Sequence, residues 1–130
     1  MHLEIFSLCD AATADTGKLN ILGAFDTIWV TTMPVVFPQC TIALRVRFDS
    51  IEKGQHQVIV DLVDLDGRHL IPPANGAINV NFDEGQRSAA SNLILNIHGL
   101  KLEKCGEYSI NLAIDGRQEA SLPFFVRERK

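Results

Sequence analysis

The stretch Gly106-Glu107-Tyr108-Ser109-Ile110-Asn111-Leu112, continued by Ala113-Ile114-Asp115-Gly116, decides the fold. Tyr108, Ile110, Leu112 and Ile114 recur at every second position, with Ser109 and Asn111 between them. A pleated strand places such a series on one face and its polar neighbours on the other. Asp115-Gly116 supplies the positive φ angles of a tight turn, and Ala120, Leu122, Phe124 and Val126 resume the alternation. The segment predicts a β-hairpin of a sheet with two distinct faces.

The same signal runs outward through the chain. Leu3, Ile5 and Ser7 alternate near the start, and Gly17 to Trp29 reads as one long second strand with a bulge or close approach at Gly23. Ile42, Leu44, Val46 and Phe48 alternate with Ala43, Arg45 and Arg47. Val58, Val60 and Leu62 form a fourth strand, Ile78, Val80 and Phe82 a fifth, and Leu93, Leu95 and Ile97 a sixth. With the final hairpin, eight strands are expected. Asp15-Thr-Gly17, Glu52-Lys-Gly54, Asp66-Gly67, Pro72-Pro-Ala-Asn-Gly76 and Asp83-Glu-Gly85 carry turn chemistry between them. No helical period and no dividing linker is visible. Residues 1–130 are therefore read as a single all-β domain, a two-sheet sandwich.

Leu102-Glu-Lys-Cys-Gly106-Glu-Tyr108 resembles the tyrosine corner of Greek-key sandwiches. There the tyrosine hydroxyl returns to the backbone a few residues upstream. The motif usually has proline before its glycine, where this chain has Cys105, and the leucine stands one residue early. The corner formed by Gly106 and Tyr108 favours an immunoglobulin-like topology over a jelly roll. A buried tyrosine without that hydrogen bond is the alternative.

Composition bounds the function. A chain of 130 residues buries about two-thirds of its unfolded surface and needs no metal or disulfide to fold. The net charge of −4 argues against nucleic acid, whose phosphates call for a basic surface. No apolar run approaches the roughly 20 residues that cross a bilayer, so no membrane is expected. The first ten residues lack the pattern of a signal peptide, and Glu4 interrupts their apolar positions. Cys9, Cys40 and Cys105 are odd in number and widely spaced, which favours unpaired thiols and a cytoplasmic location.

Candidate chemistry is sparse. Counting from Asp64 as the start of a calcium loop puts Asp66 third but Arg68 fifth, a cation where an oxygen ligand belongs. His2, His56, His69 and His98 stand apart, without zinc-binding spacing, and read as surface histidines. No catalytic residue, metal ligand or cofactor is expected, and the chain is not read as an enzyme. The best interaction candidate is the apolar segment from Ile28 to Pro38, broken by Pro34 and Pro38, which holds the only tryptophan. It plugs one end of the core, the favoured reading, or it offers Trp29, Met33, Val35 and Phe37 as a partner surface.

The whole chain also resembles a bacterial family of small uncharacterised proteins, filed only as a domain of unknown function. Leu3-Glu-Ile-Phe-Ser-Leu-Cys-Asp-Ala-Ala12, Gly17-Lys-Leu-Asn-Ile-Leu-Gly-Ala-Phe-Asp26 and Gly106 to Pro123 carry the resemblance. It implies a bacterial or phage-associated origin and brings no activity, ligand or catalytic residue. The expectation is a non-catalytic module that binds a protein or pairs with itself as a homodimer. A module for small ligands or carbohydrates, using the amides of Asn75, Asn79, Asn81, Asn92 and Asn96, is the alternative.

Overall fold

The long alternating segments form nine strands, and the computed structural model describes residues 1–129. They are β1 (His2–Asp15), β2 (Lys18–Ala24), β3 (Thr27–Val30), β4 (Val35–Asp49), β5 (Gly54–Asp64), β6 (Ala74–Val80), β7 (Ser88–Leu102), β8 (Gly106–Ile114) and β9 (Arg117–Glu128). One sheet has the order β2-β1-β4-β7 and the other β3-β9-β8-β5-β6. The protein is all-β, and among the described residues a 3-10 turn at Ser50–Glu52 is the one departure from strands and loops. Among the described residues, no helix is long and apolar enough to cross a membrane.

Buried side chains from both sheets form one core. Ile42, Leu44, Val46 and Phe48 of β4 face Val58, Val60 and Leu62 of β5, Ile110 and Leu112 of β8, and Phe124 of β9. The β8–β9 hairpin turns at Asp115 and Gly116, with φ angles of 53° and 80°. A glycine at the second position accepts that angle without the strain of a Cβ.

The expected eight strands become nine because the second one breaks. Residues 18–24 pair with β1 in one sheet, whereas Thr27–Val30 cross to the other and lie parallel to β9. Gly23, at φ 67°, lets the backbone approach Asp10; a Cβ there would meet the Asp10 carboxylate at 2.5 Å. The first strand also differs from its expected pattern. A bulge at Glu4 reverses the alternation, so Leu3, Phe6 and Leu8 join the core side, not Leu3 and Ile5. Glu4 instead holds the Arg45 and Arg47 guanidinium groups at 2.9 and 2.6 Å. Ala74 to Gly76, expected in a turn, open β6, and Phe82 falls beyond its end.

β4 is interior, since it pairs with β1 on one side and β7 on the other. Pro38 is tolerated there because β1 pairs no further than Thr41, having turned away to β2 at Cys9. The outward-facing side of β4 is covered too. Cys9, Thr41 and Ala43 have no exposed surface and lie outside the main core. The β1–β2 hairpin folds back over them, and its Gly17 carbonyl accepts a hydrogen bond from Arg45 Nη1 at 3.1 Å.

Candidate binding surface around Trp29

β3 alternates strictly. Ile28 and Val30 enter the core, so Thr27 and Trp29 must face outward, and Trp29 is 53% exposed. The parallel register sets Trp29 beside Arg127 and Thr27 beside Phe125 of β9. Two cation–aromatic contacts follow from that row. The Arg129 guanidinium lies 5.1 Å from the Trp29 ring centre, and Arg127 lies 5.4 Å from that of Phe125. Each covers apolar ring surface while its charge stays in water.

Trp29 forms a wall between two open grooves. One, of about 580 Å³, is lined by Trp29, Phe125, Arg127, Cys105, Gly106 and Glu107. The other, of about 330 Å³, runs past Phe25, Phe37, Gly23 and Asp10. The Phe25 and Phe37 rings pack 6.1 Å apart at its base. The surface thus offers one large ring and flanking charges of both signs.

Tyr108 and Phe124 lie on the core side of the strands that line the larger groove. The Tyr108 hydroxyl donates to the Lys104 carbonyl, and its ring stacks on Phe124 with centres 5.1 Å apart. Burial pushes the Tyr108 hydroxyl pKa above its ordinary value. Gly106, at φ 142°, starts the strand that carries this ring.

The apolar segment from Ile28 to Pro38 is therefore divided. Trp29 and Val36 are exposed, while Met33, Val35 and Phe37 are half-buried against the core. Of the four residues expected to form one partner surface, only Trp29 presents most of its side chain. Strand alternation sends Trp29 to the outward side of β3 and Val35 to the inward side of β4, whereas Phe37, half-buried, still lines the smaller groove together with Trp29.

The Asp64 loop is a turn. Asp64 Oδ1 accepts the backbone N–H groups of Asp66 and Arg68, both at 2.9 Å. These bonds, Arg68 first, hold its carboxyl below the usual range. No cluster of three metal-binding side chains occurs among the described residues. Cys9 and Cys40 are buried thiols and Cys105 is exposed. Burial pushes the Cys40 thiol up to about 11.

His56 is the residue that surface readings missed. It keeps step with Val58, Val60 and Leu62 along β5, and that spacing is the signal for an inward position. Its ring stacks on Phe48 at 4.5 Å, with Nδ1 2.6 Å from Asp115 Oδ2 and Nε2 2.6 Å from the Glu52 carbonyl oxygen. Both partners only accept, so both ring nitrogens donate and the imidazolium form is favoured. The bond to Asp115 raises the His56 pKa, and His56 in turn lowers that of Asp115.

A family model of unknown function matches residues 4–127, nearly the full chain. The chain belongs to the family DUF6941. No curated protein matches it. Among solved structures, it is similar to part of a β-glucosidase from Listeria innocua solved in complex with isofagomine. The TM-score is 0.55 at 9% identity, over 95% of this chain and 16% of the glucosidase. An alkylpurine DNA glycosylase, AlkC of Pseudomonas fluorescens bound to DNA with an abasic site analogue, gives 0.44 at 12% identity, over 94% of this chain and 30% of that protein. The chain spans under a third of either structure, and the first likeness is one of fold alone.

Proposed function

We propose that this member of DUF6941 is a non-catalytic binding module that engages another protein through the rim around Trp29. The observation that carries the reading is the exposed tryptophan, held on a strand whose neighbours are buried and flanked by Arg127, Arg129 and Glu107. Tryptophan and arginine dominate binding hot spots because they combine large contact area with directed polar groups. The reading includes an immunoglobulin-like Greek-key topology. Support comes from the order β3-β9-β8-β5-β6, from the crossovers of β4 to β5, β6 to β7 and β7 to β8 between sheets, and from the Tyr108 bond to Lys104. The buried thiols Cys9 and Cys40 support a reducing compartment, the cytoplasm.

The test compares wild-type protein with Trp29→Ala as bait. A partner retained by wild type and lost from a folded Trp29→Ala protein upholds the reading; equal retention by both contradicts it. The rival reading, a small-ligand or sugar site, draws on the same ring lying in an open groove beside Glu107. Arg129 over the Trp29 ring would compete with a stacked sugar. A thermal-shift screen separates the two, because a rise in melting temperature with a sugar favours the rival.

A further inference from the structure

β7 ends its sheet: among the described residues no strand is hydrogen-bonded along its outer edge, and β6 of the facing sheet meets it where Gly76 packs against the Leu93 side chain. From Ser88 to Leu100 the strand contains no proline and no acidic, lysine or arginine side chain. Those are the residues by which exposed edges ordinarily discourage pairing. The core also stays open along this edge. Leu93 and Leu95 are half-buried, whereas Leu44 and Ile42, directly opposite on β4, have no exposed surface.

The sequence of the edge names its occupant. Asn92-Leu93-Ile94-Leu95-Asn96 reads the same in both directions. Antiparallel pairing of two copies about Ile94 therefore sets Ile94 against itself, Leu93 against the second copy's Leu95, and Asn92 against its Asn96. In such pairs the directly opposite side chains touch, so like meets like on each face. The leucines share the inward face and close the core that β7 leaves open. The asparagines and Ile94 share the outward face. Asn92 Oδ1 accepts from Arg45 at 3.0 Å and Asn96 Oδ1 from Thr41 at 2.9 Å, which fixes both amides. Each Nδ2 group is then a donor aimed away from those bonds, and each oxygen keeps a second lone pair for the facing amide.

We propose that two copies of this chain pair through β7, antiparallel and in register about Ile94, joining two four-stranded sheets into one of eight. The pairing runs from Ala90 to His98. It stops at Gly99, where φ is 64° and the ladder to β4 is interrupted opposite Pro38. A self-matched segment with no charge gives an isologous contact, which closes as a dimer and does not propagate. The inference goes beyond the Trp29 reading and uses none of its residues.

Light scattering on the full chain at micromolar concentration should give twice the 14.4 kDa of one chain. Ile94→Lys and Ile94→Glu each place like charges face to face and should weaken the dimer at least about a hundredfold. Mixing the two variants should restore a one-to-one dimer, a result that no misfolded variant gives. In a Cys105→Ser background, Ile94→Cys should form a disulfide-linked dimer on mild oxidation. Ala90→Cys, which faces His98 of the second copy, should not. A single-chain mass for wild type overturns the proposal. A dimer that survives Ile94→Lys and leaves Ile94→Cys unlinked overturns the β7 register while self-association stands. Trp29→Ala should leave the mass unchanged, so either reading can fail without the other.

Discussion

The edges formed by β3 and β7 solve opposite problems. β3 has four residues, pairs parallel to β9, and is bordered by Arg127 and Arg129, each lying over an aromatic ring. β7 has 15 residues and shows an uncharged backbone edge over most of its length. A short, charge-bordered edge cannot support a ladder of added strand, so what it offers is side chains. A long uncharged edge offers unpaired N–H and C=O groups. The two regions therefore offer a partner different chemistry: rings and guanidinium groups at one, main-chain hydrogen-bonding groups and leucines at the other. The second should respond little to salt, whereas contacts made by the charges around Trp29 should weaken as salt screens them.

The sharpest way to break the contrast is to remove the core packing behind the Trp29 rim. Phe124 is fully buried against Tyr108, and Phe124→Ala should cost about 3–5 kcal/mol. Urea unfolding followed by Trp29 fluorescence and by far-ultraviolet circular dichroism should give one coincident transition. If the fluorescence change came first, the rim would be a loosely attached strand and not a rigid platform. Tyr108→Phe is milder. It leaves the Lys104 carbonyl without its donor, at a cost of about 1–3 kcal/mol in the same measurement. A loss below about 0.5 kcal/mol would mean that the bond adds nothing to stability.

His56 sharpens the comparison by pH, because it belongs to neither edge. Its pKa is raised in the folded chain, so its contribution is complete below the ordinary value of 6.5 and is lost as pH rises through the folded value. Asp115 works in the other direction, its lowered pKa giving stability above 3.8 that is lost on acidification through the folded value. Stability should peak between those two ordinary values and decline as the solution becomes alkaline. His56→Phe keeps a ring against Phe48, should cost about 1 kcal/mol at pH 6, and should flatten the alkaline decline. An unchanged pH profile in this variant would contradict the doubly donating imidazolium. The smallest effect belongs to Arg129→Ala. Removing a cation from an exposed ring should cost about 0.5–1 kcal/mol at most and shift Trp29 emission.

Where contacts are local, the fold was legible in the residues. The β8–β9 hairpin, its Asp115-Gly116 turn and the inward series of β4 follow from alternation and turn chemistry alone. Long-range geometry hid the rest. Glu4 was legible as a polar interruption, but its bulge is set by Arg45 and Arg47, some forty residues away. The break between β2 and β3 depends on which sheet offers each piece a partner, and no local pattern encodes that choice. Trp29 stands out in the sequence as the lone tryptophan. That it meets Phe37 across the smaller groove but not Met33 or Val35 requires knowing that β3 and β4 lie in different sheets. His56 was legible in principle from its spacing to Val58, but its partner Asp115 lies 59 positions along the chain.

The contrast between the two edges is tested most directly by hydrogen exchange at low and high protein concentration. The account predicts that amides in the segment 90–98 exchange more slowly as concentration rises, while those of Thr27–Val30 do not change. Concentration-independent exchange along β7, or slowing confined to β3, would contradict it.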